Sequence, residues 1–229
     1  MTKQAKYYAY AIIATGALTV ASAGVLWSSQ SLTRFLVCLC LALLGSTFKV
    51  KLPGMESCIS SSFIPLLFSA ATMSWQETVI MAAAAGVLQT LWKPGHPAML
   101  IQVLFNGANL AIALGVGYSV SHAVAPNQLL AQLAIAAVMY EVINTLSVST
   151  VVCLVTGAPL RNLWRNCHLW TFPYYLVGAV LACVWAQSNA AVSLSITLIG
   201  ATTLYLASVF YQELVERLGS RNLTMDERT

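Results

Sequence analysis

Between Pro94 and Leu160 the chain carries one formally charged side chain, Glu141. A stretch this long and this uncharged cannot coat the outside of a water-soluble fold, because a soluble domain spreads charge over roughly a quarter of its residues. Here 8% of the 229 residues are charged, 59% are hydrophobic, and the mean hydropathy is +0.76. The chain is therefore expected to live in a bilayer. Secreted, disordered and nucleic-acid-binding classes are excluded, and no room remains for a soluble catalytic domain.

Charges and turn residues divide the chain into apolar segments at about 7–27, 33–48, 58–73, 76–92, 98–121, 128–157, 168–187 and 190–211. A helix needs about 20 residues to cross the hydrocarbon core. These segments predict an all-α, polytopic membrane helix bundle with six to eight transmembrane segments. Segments two to four are short and Pro65 interrupts the third, so a re-entrant or broken helix pair is expected at 58–92. Residues 1–211 form one membrane-embedded domain on this reading, and 212–229 form a short cytoplasmic tail. Ala21-Ser22-Ala23 has the small-x-small pattern of a signal-peptidase site, but the apolar run continues to Trp27, which favours an uncleaved first helix.

Ten of the eleven lysines and arginines fall on one side of this topology, with Arg34 the exception. Positive charge is retained in cytoplasmic loops, so both termini and the stretches around Lys49, Lys93 and Arg161 are expected inside. The +4 net charge then marks orientation rather than affinity for nucleic acid. This charge pattern predicts a multi-pass membrane protein with both termini cytoplasmic.

Glu141 is the most informative residue. An acidic side chain at a helix centre costs about 2.5–3.5 kcal/mol on insertion scales, so it must face the bundle interior or a wet cavity. Asn144 and Thr145 follow one turn later on the same face. On segment five Gln102, Asn106 and Asn109 form a polar stripe that must also face protein. Gln102, Asn106, Asn109, Glu141 and Asn144 thus make a candidate ligand-binding cluster, with Gln89 and Ser60 to Ser62 as extensions. The competing reading is an interhelical hydrogen-bond network that only holds helices together.

The remaining signals are weaker. Glu77 beside the start of segment four is expected to cap that helix. All six tryptophans lie near segment ends, as an interfacial belt does. The cysteines read as reduced thiols inside apolar runs. Three scattered histidines offer no metal ligand set, Ser119, Ser121 and His122 lack an orienting acid, and no phosphate-cradling loop is present. No metal, cofactor or enzymatic activity is expected. Gly107, Ala111 and Gly115, Gly178 and Ala182, and Ala82 and Gly86 predict close helix packing.

The order Leu52-Pro53-Gly54, Ser60 to Phe63, Glu77, Gln89 to Trp92, Gln102 to Asn106, Asn144-Thr145 and Gly157 to Trp164 resembles a multi-pass membrane sensor module. That module is found N-terminal to the signalling domains of some bacterial HD-GYP phosphodiesterases and GGDEF diguanylate cyclases. The likeness spans about residues 45–217, and the stretch Tyr211 to Arg221 is similar to the charged connector that leads to an output domain. The chain ends at Thr229, so the resemblance implies a stand-alone sensor of a bacterial cytoplasmic (inner) membrane that neither makes nor breaks a cyclic dinucleotide.

A more distant likeness is to the S components of energy-coupling-factor transporters, whose small-residue docking pattern Ala17 and Ala21 echo. Three roles follow as expectations. The first is a non-enzymatic signalling module that binds a small or lipid-like ligand and couples to a membrane or cytoplasmic protein subunit. The second is the substrate-binding subunit of a transporter, and the third is a structural subunit of a larger complex.

Overall fold

The structure, a computed structural model, describes residues 2–29, 31–47, 49–51, 58–92 and 98–188. Among them are seven helices: α1 (Lys3–Val25), α2 (Leu32–Thr47), α3 (Phe63–Thr72), α4 (Trp75–Leu91), α5 (Leu100–Val124), α6 (Leu129–Thr156) and α7 (Leu160–Gln187). The eighth expected segment and the expected tail lie outside the described residues. Three helices, α1, α5 and α6, are long and apolar enough to cross a membrane. The expected helical membrane bundle is what the chain forms.

Between α2 and α3 runs a small antiparallel hairpin, β1 (Lys49–Lys51) with β2 (Cys58–Ser60), in which Lys49 pairs with Ser60 and Lys51 with Cys58. It returns the chain to α3, which has only 10 residues and so rises about 15 Å, half the hydrocarbon thickness. The broken element expected at 58–92 is therefore α3, joined to α4 by Met73 and Ser74. At that turn Glu77 accepts from the Ser74 amide at 3.0 Å while the Ser74 hydroxyl accepts from the Glu77 amide at 3.3 Å. This capping box is the role expected of Glu77, which also accepts from Ser29 at 2.6 Å and so ties the α1–α2 connection to α4.

One boundary differs from expectation. The stretch 157–166 reads as a connection, yet α7 already begins at Leu160. Gly157 ends α6 in the left-handed region at φ 75°, which glycine adopts without steric cost, and Pro159 then stands at the N-cap, where its missing N–H is no loss. Arg161 and Arg165 thus ride on the first turns of a helix.

Helices approach closely where small residues allow it. α1 buries Ala5, Ala9, Gly16 and Ala23 along one seam, with Gly16 against Ala108 of α5. A Cβ on Gly86 of α4 would stand 2.6 Å from the Asn106 carbonyl oxygen of α5, and one on Gly107 would stand 2.8 Å from Val87. Both faces were expected to pack this way. Ala17 and Ala21 point outward and are exposed.

The two ends of the bundle differ in chemistry. At one end the Thr2 hydroxyl donates to the Leu154 carbonyl at 2.8 Å, which gathers Lys3, Lys6, Arg161 and Arg165. At the other, Ser74 donates to Ser28 and the Trp75 indole to Gly115, and Arg34 begins α2 there.

Candidate functional site

The polar stripe of α5 is divided among three neighbours. Gln102 is exposed and bends back to accept from the Met99 amide at 3.3 Å, so it serves its own helix start. Asn106, one turn on, donates to Thr90 of α4 at 2.7 Å. Asn109, a further turn along and 1% exposed, donates to Asn144 of α6 at 2.7 Å. The rotation of about 100° per residue explains the division, since residues at i, i+4 and i+7 drift across the helix face and meet different partners.

Glu141 is fully buried. Its Oε1 accepts from the Thr171 hydroxyl of α7 at 2.9 Å and lies 3.4 Å from the Thr145 hydroxyl. Thr145 itself accepts from the Trp164 indole at 3.1 Å. A polar chain therefore runs from the first turns of α7 through Thr145 to Glu141 and back to α7 at Thr171. The neighbouring turn of α6 sends Asn144 the other way, to α5. Of the five candidate residues, the structure joins Asn109 to Asn144 and turns Glu141, one turn earlier on α6, toward α7, while Asn106 and Gln102 lead elsewhere.

Asn109 keeps one unmet need: its buried Oδ1 has no hydrogen-bond partner. A buried amide oxygen left unpaired costs about 1–3 kcal/mol. What would satisfy it is an O–H or N–H donor.

Sequence reasoning missed Thr90, Thr171 and Trp164. Thr90 stands beside Gln89, the neighbour that the sequence offers as an extension of the cluster. Trp164 and Trp185 also depart from a plain interfacial belt, since Trp185 is buried and stacks on Phe68 at 4.1 Å. Ser60 and Ser62 bond to each other at 2.8 Å near Gly45 rather than joining Asn109. Among the described residues no group of three histidines, cysteines or acids could hold a metal. Ser119 and Ser121 donate to carbonyls of their own helix.

The sequence profile of MASE9, a family of membrane-associated sensor domains, matches residues 25–210. The chain belongs to the MASE9 family. The match opens at the last residue of α1 and takes in every residue of the candidate site, so the MASE9 region is the α2–α7 bundle together with residues up to 210. The multi-pass membrane sensor reading thus stands at family level. Comparison with curated proteins and with solved structures gives no match.

Proposed function

We propose that this MASE9 chain is a non-enzymatic sensor that takes a small hydrogen-bond-donating molecule between α5 and α6, and that Asn109, Asn144 and Glu141 read its presence. The observation that carries this is the Asn109 Oδ1, buried and unpartnered beside an Asn144 bond and one turn from a buried carboxyl. An amide network that merely tied helices would leave no acceptor empty and would not need an acid, whose burial costs about 2.5–3.5 kcal/mol.

The state of the site reaches the outside through α7. Glu141 holds Thr171, Thr145 holds Trp164, and Trp164 sits between Arg161 and Arg165 at the basic end of the bundle. Positive charge on that end supports an inner-membrane orientation with the α1 start and the α6–α7 connection in the cytoplasm. A membrane or cytoplasmic protein partner would meet the chain there, and signalling enzymes of the cyclic-dinucleotide class fit the resemblance drawn from sequence.

Native mass spectrometry of the full chain released from nanodiscs tests the reading. Wild type should retain a small molecule distinct from phospholipid, and Asn109→Leu and Glu141→Gln should lose it while keeping the folded mass. Identical bound species in all three would reduce the polar residues to helix ties.

A further inference from the structure

Four exposed cations meet at one end of the bundle, on the first turns of two different helices. Thr2 caps α1 by accepting from the Ala5 amide at 3.2 Å, and the same hydroxyl donates to the Leu154 carbonyl at 2.8 Å, just before α6 ends at Thr156. Lys3 and Lys6 therefore stand beside the last turn of α6. After Gly157 and Pro159 the chain turns straight into α7, which carries Arg161 and Arg165 one turn apart on one face.

Sidedness alone does not account for this placement. The positive-inside bias asks only that cations lie on this side, anywhere in its loops. Here they sit at helix starts, where the aligned peptide dipoles already leave partial positive charge and acidic side chains are the favoured company. Neither α1 nor α7 has an acid in its first turn. Lys3 with Lys6, and Arg161 with Arg165, are also like charges three and four residues apart, which repel. Glu77 caps α4 at the other end of the bundle, and Glu141 is in the interior. Among the described residues none of the four basic side chains has a hydrogen bond or an ion pair. An anion between the two helix starts would offset both the dipoles and the repulsion.

The surroundings point to a lipid head group as that anion. α6 and α7 have 28 residues each, a length of about 42 Å against about 30 Å of hydrocarbon, so their ends stand among head groups. On α1, Tyr7 and Tyr10 follow the lysines and are 74% and 57% exposed, as rings at the membrane interface are. Toward the middle of the bilayer α6 turns Val152 and Leu146 outward, an apolar face along which an acyl chain can lie.

We infer that the starts of α1 and α7 together bind the phosphate head group of an anionic phospholipid, bridged across the end of α6. The inference does not rest on the Asn109 site. Basic pockets between transmembrane helices on the cytoplasmic side hold such head groups. α1 precedes the MASE9 match except for its last residue, so the lipid fastens this helix to the family's bundle. It does so on the same half of α7 that Trp164 and Thr171 hold to α6.

The test uses the full chain in nanodiscs of phosphatidylcholine with or without phosphatidylglycerol, read by native mass spectrometry of the retained lipids and by thermal unfolding. Wild type and Arg34→Gln, whose cation is at the other end, should retain phosphatidylglycerol in preference and unfold at a higher temperature when it is present. Each cation near an anionic head group is worth about fivefold in binding, so Lys3→Gln/Lys6→Gln and Arg161→Gln/Arg165→Gln should each weaken retention roughly thirtyfold. In phosphatidylcholine alone both double variants should be at least as stable as wild type, because each removes repulsion; that separates loss of the site from loss of the fold. Equal retention of the two lipids by wild type, or a loss as large in Arg34→Gln, would overturn the inference. So would a loss confined to one pair, since the head group would then sit on one helix alone. Inorganic phosphate that stabilises wild type in phosphatidylcholine as well as phosphatidylglycerol does would make this a site for a free anion and overturn it too. Destabilisation there by Glu213→Gln/Glu216→Gln would likewise overturn it, by showing that the chain's own acids cover the basic face.

Discussion

Gly86→Ala is the sharpest probe of how α4 and α5 hold the bundle together. The new methyl would lie 2.6 Å from the Asn106 carbonyl oxygen and 3.0 Å from Gly107 Cα, both backbone atoms that no side-chain rotation can move. Ordinary contact begins at 3.4 Å, so the helices must part by roughly 0.8 Å. A gap of that size forfeits about a quarter to a half of the dispersion energy along the seam. Overpacking of this kind costs about 1–3 kcal/mol, and loss of the Asn106–Thr90 hydrogen bond adds about 1 kcal/mol. The expected total is about 2–4 kcal/mol, or roughly 5–15 °C in unfolding temperature for a chain of this length. Gly24→Ala is the control, because it carries the same gain in helix propensity and a Cβ there meets nothing within 4 Å. Gly107→Ala should fall between them, since its nearest obstacle is the Val87 side chain. Thermal unfolding of the three variants in one detergent decides the matter. If Gly86→Ala proves as stable as Gly24→Ala, the close α4–α5 approach is wrong.

Three further outcomes are expected. A double-mutant cycle on Asn109→Ala and Asn144→Ala should return a coupling of about 0.6–1.7 kcal/mol by chemical denaturation, whereas additivity would deny the 2.7 Å bond. Glu77→Ala should cost about 1–3 kcal/mol by removing the cap of α4 and the tie to Ser29, and Glu77→Asp, too short to reach both, should recover little of it. Single-cysteine probes placed in a background free of native cysteines should be labelled in intact cells by an impermeant reagent at Ala125 but not at Arg161, and the reverse pattern would invert the orientation.

The bundle was legible in the sequence because the bilayer forbids most alternatives: apolar runs must be helices, and small residues at four-residue spacing marked the close approach at Gly86 and Gly107, though Ala17 and Ala21 face outward. α3 was legible in part, since Pro65 and the short apolar runs marked a break without locating the helix start. The beginning of α7 was not, because Gly157, Pro159 and two arginines read equally as a loop and as a cap followed by an amphipathic turn. Within the site, Glu141 and the asparagines announced themselves by being costly to bury. Thr90 and Thr171 did not, for a threonine in a membrane helix can always bond its own backbone, as Thr90 also does at 2.9 Å to Gly86. Which hydroxyl reaches across depends on helix rotation, which spacing alone leaves open.

The two proposed sites share α7, and that constrains any account of sensing. Its first half is held to α6 by Trp164 and Thr171, on either side of the Glu141 turn. Its second half is held to α3 by Tyr174 and Tyr175 against Phe63. Pro173 falls between these two sets of contacts, and a proline inside a helix both lacks the N–H for the carbonyl four residues back and crowds it. The backbone is therefore weakest where the two halves answer to different neighbours, and bends in helices concentrate at such points. A ligand seated at Asn109 and a lipid at the basic end both act on the half that carries Arg161 and Arg165, so neither must cross that joint to be felt by the other. The two halves of α7 are coupled through one residue's missing hydrogen bond, and stiffening that joint would link them more tightly.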